Sequence, residues 1–199
     1  MKRFSPVILF ILLTAGAVWY GASHHRYVQN PDPNHTHADF AVWINGKELD
    51  FSDAKYMTTE KKESKLPPND PRRYFHLHDG NMHVIHMHKP GLPIKEFFKS
   101  IGFDMASDSF SLDTDVGIFS MHDTPLRMFI NGAERPYDPD YVFNDGSHIL
   151  LTNTHDEAEL QLELQQMTDD ACLYSQTCPW RGKVPVENCV SDPSVPCTE

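Results

Sequence analysis

The sequence predicts an α+β fold: a small mixed sheet with one packed helix, between an apolar N-terminal helix and a disulfide-stapled tail. Three observations point there. Residues from Ala38 to Ile44 alternate between apolar and mixed positions and end on Asn45-Gly46. Ile94, Phe97, Phe98 and Ile101 recur at helical spacing. All four cysteines, Cys172, Cys178, Cys189 and Cys197, fall near the C-terminus.

The chain opens Met1-Lys2-Arg3 and then runs without charge from Pro6 to Ala22. As a helix that run is about 25 Å long at roughly 1.5 Å per residue, near the lower limit for a bilayer core of about 30 Å. Lys2 and Arg3 set the N-terminus inside, and Trp19 and Tyr20 suit the outer interface. Residues 1–23 therefore predict a signal anchor, a single-pass transmembrane helix in the cell membrane with an extracytoplasmic domain. Ala15-Gly16-Ala17 fits the cleavage pattern of a removable signal peptide, the competing outcome. Residues 24–34 are polar and Pro-interrupted and predict a linker.

Residues 35–155 form the predicted domain. Ala38, Phe40, Val42 and Ile44 share one strand face; His35, His37, Asp39, Ala41 and Trp43 share the other. Asn45-Gly46 is a two-residue hairpin signal, with Lys47–Phe51 as the return strand. Phe129-Ile130-Asn131-Gly132 repeats the device. Residues 53–75, rich in Lys, Glu, Pro and Asp, predict a long loop, and Val84–His88 a short strand. Pro93–Ile101 predicts a helix, with Pro93 in the first turn and Gly102 at the C-cap. Gly117–Met121, Leu126–Ile130 and His148–Asn153 predict further strands, the last preceded by the turn Asp145-Gly146. An N-terminal hairpin, a crossover helix and a closing strand make a β-grasp-like order. Residues 156–199 predict a helix over 156–168, with Leu160, Leu164 and Met167 on one side, and then a Pro-rich tail with at most a helical turn near Val186–Cys189.

An even cysteine count in an exported chain predicts two disulfides, with three pairings open. A formal charge of −11 repels phosphate backbones, which argues against nucleic acid as a partner. It suits cations.

Seven of the twelve histidines fall in two clusters: His35-Thr36-His37, and His76-Leu77-His78 with His83, His86 and His88. In an extended strand the two imidazoles of an H-x-H pair point the same way. Neutral imidazole is the commonest ligand for zinc and copper. Parity places His35, His37, His86 and His88 opposite the core, with His76 and His78 brought to that face by the preceding loop. These six are the predicted metal ligands. His83 shares the parity of Ile85, and His122 is a late contributor, so both rank behind. His148 and His155 look isolated. Asp39 and Asp79 are candidates to orient imidazole N–H groups; Asp79, before Gly80, equally suits a turn. Met82, Met87 and Met121 stand among the histidines and favour copper if they ligate and core filling if they do not. The predicted cofactor is a copper or zinc ion.

Enzyme signatures are sparse, and no catalytic residue is assigned. H-E-x-x-H, G-x-S-x-G and a Gly-rich phosphate loop are absent. Amidohydrolases use H-x-H but on barrels of about 250 residues. A cupin spaces H-x-H pairs similarly but needs an intervening glutamate that is missing here. Signal cleavage after Ser23 would leave an N-terminal His24, a copper chelator by amine and ring.

His35-Thr-His-Ala-Asp-Phe, Ile44-Asn-Gly, Asp50-Phe-Ser, His76-Leu-His-Asp-Gly and Val84-Ile-His-Met-His, with Cys172-Leu-Tyr-Ser-x-x-Cys-Pro and Arg181-Gly…Cys189, carry a family likeness over about residues 35–197. The chain resembles an uncharacterised family of small exported, membrane-anchored, His-rich proteins with a four-Cys tail. Trp180 departs from the charged residue expected beside Cys-Pro. The resemblance implies an extracytoplasmic address and a domain type, not a reaction.

Three functions compete. One is a membrane-tethered extracytoplasmic metal-binding protein for buffering, delivery or sensing. Another is a metalloenzyme on the same cluster, with Asp39, Asp79 or Asp123 as acid or base. The third is a β-grasp-like interaction module with incidental histidines.

Overall fold

A computed structural model of the protein describes residues 11, 14, 26–58, 66, 67, 69–112, 118–120 and 125–185. The predicted anchor (apart from residues 11 and 14), His24, Met121, His122, Asp123, Cys189, Cys197 and the turn near Val186 lie outside them. Among the described residues no helix is long and apolar enough to cross a membrane.

Strand β1 (Thr36–Ile44) is the axis of the main sheet. Its even residues Ala38, Phe40 and Val42 enter one core, and Ala41 enters a second core on the opposite face. At its far end Asn45 (φ 54°) and Gly46 (φ 70°) make the tight turn, so Ile44 pairs with Lys47 of β2 (Lys47–Glu48). The return strand is thus much shorter than the predicted 47–51. A side chain on Gly46 would meet only the flexible end of Glu159, so the positive φ is what calls for glycine there.

After a 3-10 turn at Pro71–Arg73, β4 (Val84–Met87) joins the near half of β1 and β3 (Phe75–His76) joins the outer edge of β4, both pairings antiparallel. Helix α1 (Ile94–Ser100) follows, burying Ile94, Phe97 and Phe98. Strands β5 (Phe103–Met105), β6 (Ser109–Leu112) and β7 (Ile118–Ser120) form a separate three-stranded sheet. The hairpin of β8 (Arg127–Ile130) and β9 (Ala133–Arg135) turns on Asn131 (φ 52°) and Gly132 (φ 76°), and β10 (Ser147–Thr152) closes the sheet. The main order is β3-β4-β1-β10-β8-β9, with β2 also on β1; β1 and β10 are parallel at the centre.

The first face is an aromatic core. Phe40, Phe51, Phe75, Phe97, Phe98, Phe103 and Phe110 are buried there with Ile85, Met87, Ile149 and Leu151. The sheet carries more than one packed helix. Helix α2 (Glu157–Gln166) covers part of the second face, with Leu160 buried on Ala41, Phe129 and Leu150. Asp156 caps it by accepting from the Ala158 and Glu159 amides. Helix α3 (Ala171–Tyr174) follows in a segment expected to be irregular tail. The stretch 26–34 does not hang clear of the domain as a linker would. Val28 N–H donates to the Thr177 carbonyl at 2.9 Å, and Tyr27 meets Trp180 edge-on at 4.8 Å.

Candidate metal centre

Strand register gathers the histidines. His37 of β1 lies opposite His86 of β4, and His86 lies opposite His76 of β3. Neighbouring strands are about 4.8 Å apart, so these three imidazoles form a row across the sheet. Just beyond the strand ends, His35 stacks on His88 with ring centroids 4.1 Å apart. His78 follows β3 and places its ring 3.9 Å from that of His86. All six predicted ligands therefore share one patch on the face away from the aromatic core. His37, His76, His86 and His88 are buried, while His35 and His78 are half-buried and mark the rim.

The ring nitrogens approach closely, the His76–His88 pair at a distance that suits shared coordination. His78 Nε2 lies 3.2 Å from His86 Nδ1, and His88 Nε2 lies 3.3 Å from His76 Nε2. Two imidazoles on one tetrahedral zinc, with bonds of about 2.0–2.1 Å, place their nitrogens about 3.3 Å apart. His35, His37 and His86 offer nitrogens that all lie within 4.8 Å of one another, a group able to hold a metal ion.

Two short chains of hydrogen bonds fix the tautomers. The Ser175 hydroxyl donates to Asp145 Oδ1. Its oxygen therefore accepts from His37 Nδ1 at 2.7 Å, and the neutral His37 ring carries its lone pair on Nε2. Asp79 Oδ2, an acceptor, takes the proton of His78 Nδ1 at 2.8 Å. His78 Nε2 then accepts from His86 Nδ1, and the His86 lone pair also falls on Nε2. Outer partners of this kind hold a ligating imidazole in place and raise its basicity. Asp79 stands at positive φ in a turn as well, so its two expected roles coexist. Burial, reinforced by His76, His35, His86 and His37 around it, drives the pKa of His88 well below the ordinary imidazole value. It is neutral at pH 7, the form that binds metal.

Asp39 does something other than orient these rings. Its Oδ1 accepts from the Thr168 hydroxyl at 2.6 Å and the Asp170 amide at 2.8 Å, and its Oδ2 accepts from the Ala171 amide at 3.0 Å. Burial pushes this carboxyl up, while those donors and His148 hold it back. The carboxylate thus pins the start of α3 to the strand that carries His37 and follows His35. Downstream, Tyr174 sets its ring perpendicular to His86 at 4.8 Å, and Ser175 grips His37. The Cys172–Cys178 disulfide closes the short loop containing both residues. The histidine patch is therefore roofed by a stapled segment, and neither Tyr174 nor Ser175 carried a sequence signal for that role.

Other candidates fall elsewhere. His83 Nε2 pairs with Glu48 Oε1 at 3.0 Å, outside the patch. Met87 is in the aromatic core and Met82 packs against it, so neither thioether joins the imidazoles. His155 is exposed. His148 is not isolated: parallel register sets it opposite Asp39, with Nε2 3.7 Å from Asp39 Oδ2 and 3.4 Å from Asp169 Oδ1. These three form a second group with metal-compatible spacing. The donors on Asp39 and the Arg181 guanidinium, 3.2 Å from Asp169 Oδ2, make it an ion-pair network. The signal for His148 was the strand parity it shares with Leu150 along β10.

Comparison with protein-family models, curated proteins and solved structures finds no match to this chain.

Proposed function

We propose that this protein is a membrane-tethered, extracytoplasmic transition-metal-binding protein that buffers, delivers or senses copper or zinc. One observation carries the metal: six imidazoles from three strands and their flanks share one patch, and His35, His37 and His86 among them offer nitrogens all within 4.8 Å of one another. An all-nitrogen donor set with no thioether among the described residues suits Zn(II) and Cu(II). His35 and His78 at the rim offer a route for exchange, as buffering or delivery requires. The address rests on Lys2-Arg3 before an uncharged run and on the Cys172–Cys178 bond, which favours an oxidising compartment. It agrees with the resemblance to small exported His-rich proteins. A β-grasp-like description of the scaffold is supported by parallel β1 and β10 at the centre, a tight hairpin on each side and α1 between them in sequence.

The test is elemental analysis of untagged protein purified without a metal column. Stoichiometric copper or zinc is expected, with loss in His35→Ala/His86→Ala. Metal-free wild-type protein that is folded and stays metal-free on titration would remove the proposal and leave an interaction module.

A further inference from the structure

We infer that the histidine patch holds two divalent transition-metal ions, one among His35, His37 and His86 and a second between His76 and His88. This rests on the metal-binding function proposed above and extends it. Six imidazoles exceed the four positions of a tetrahedral ion, and they do not converge on one point. The group His35, His37 and His86 is built from β1 and β4, with nitrogens mutually within 4.8 Å. The pair His76 and His88 is built from β3 and the end of β4, with Nε2 atoms 3.3 Å apart. Strand β4 lies between β1 and β3, so the backbones of His37 and His76 are about two strand spacings, or roughly 10 Å, apart. The two convergences adjoin: His86 lies 4.7 Å from His37 and 5.9 Å from His76, and His35 of the first stacks on His88 of the second at 4.1 Å.

The two positions differ in kind. The first has three protein nitrogens. Two of them, on His37 and His86, belong to rings fixed by the Ser175–Asp145 and His78–Asp79 chains. The second has two protein nitrogens, both on buried rings, and fills its remaining positions with solvent or a small anion. With fewer protein ligands, it is the weaker ion. A protein that passes metal onward needs a position of this kind beside a tighter one.

Titration of untagged full-length protein with Zn(II), and separately with Cu(II), read by native mass spectrometry, tests the inference. Two ions per chain are expected, the second bound at least tenfold more weakly. His76→Gln/His88→Gln, which keeps polar side chains of similar bulk in place of the rings, is expected to bind one. In the Cu(II) form, two neighbouring ions couple, so the wild-type paramagnetic resonance signal falls short of its copper content. The double variant recovers the full signal of one isolated ion. A thermal melt of the variant confirms that it is folded; if it is not, His88→Gln alone gives the same readout. Wild-type protein that saturates with one ion overturns the inference and leaves the proposed function intact. A folded variant that still binds two ions overturns it by placing the second ion elsewhere. Wild-type protein that binds none overturns both.

Discussion

The two faces of the central sheet do opposite work, and β1 shows the division residue by residue. Ala38, Phe40 and Val42 enter a core of eight buried phenylalanines closed by α1. His35, His37 and Asp39, between and before them, carry ring nitrogens and a carboxylate to the other side. Only further along does that side become apolar, at Ala41 and Trp43 under α2. The first face gains its free energy from burial, at about 25 cal/mol per Å² of apolar surface. The histidine half of the second face buries polar groups, which contribute little net stability once hydrogen-bonded. The sheet is thus stable enough on one side to hold imidazoles close together on the other. Folding and metal binding should separate by mutation along this single strand.

The largest effect tests the first face. Phe40 is buried against Phe51, Phe97 and Phe98, with ring centroids 5.4, 4.9 and 6.4 Å away. Phe40→Ala is expected to cost about 3–5 kcal/mol, read as the change in urea midpoint at constant slope. A cost under about 1 kcal/mol would mean that the aromatic face is not what holds the sheet.

The adjacent residue tests the second face. Asp39→Asn keeps the shape of the side chain but replaces one carboxylate oxygen by a donor, which then faces an N–H or hydroxyl donor of the 168–171 segment. A loss of about 1–3 kcal/mol follows from leaving a buried donor without its acceptor. Hydrogen exchange should locate it: the Asp170 and Ala171 amides are expected to exchange faster, while those of β10 and β8 stay protected. Uniform loss of protection across the sheet would show that the roof and the aromatic core are one cooperative unit, and the contrast between the faces would fail.

What the sequence made legible is what depends on local rules. Asn45-Gly46 and Asn131-Gly132 announced their turns because few other residue pairs adopt positive φ twice. His35, His37, His86 and His88 could be put on one face because strand parity is strict, whereas His76 and His78 were assigned to it from the preceding loop. The helix at Ile94–Ser100 followed from apolar spacing. What stayed hidden depends on long-range partners. Strand β3 has only two residues and exists because β4 offers it an edge. Of the β5–β7 sheet only β7 was expected, within Gly117–Met121; β5 and β6, of three and four residues, are too short to show a period. Helix α3 is four residues long, below the length at which helices persist alone. Its start is held by Asp39, about 130 positions earlier. His148 looked isolated because its neighbour is reached only through the parallel register with β1.

The smallest effect sharpens the comparison from the apolar half of the second face. Glu163 sits on the sheet-facing side of α2 beside Leu160 and is 1% exposed. Burial pushes its carboxyl above the ordinary value, Glu159 adds to the rise, and Thr152 and Arg127 only partly offset it. A carboxyl raised in the fold binds its proton more tightly there than in the unfolded chain. Its stabilising contribution is therefore complete below the unfolded value, near 4.5, and is lost as pH rises through the folded one. At pH 7 the native protein carries that cost. Glu163→Gln removes the charge and keeps the bulk, so it is expected to raise stability at pH 7, read as a higher melting temperature. The gain should shrink towards zero by pH 4, where the wild-type carboxyl is protonated in both states. Histidine titrations elsewhere in the molecule are common to both proteins and cancel in the difference. A variant less stable than wild type at pH 7 would mean that the Glu163 charge is compensated under α2, and that this half of the face is polar by construction rather than apolar with one costly residue.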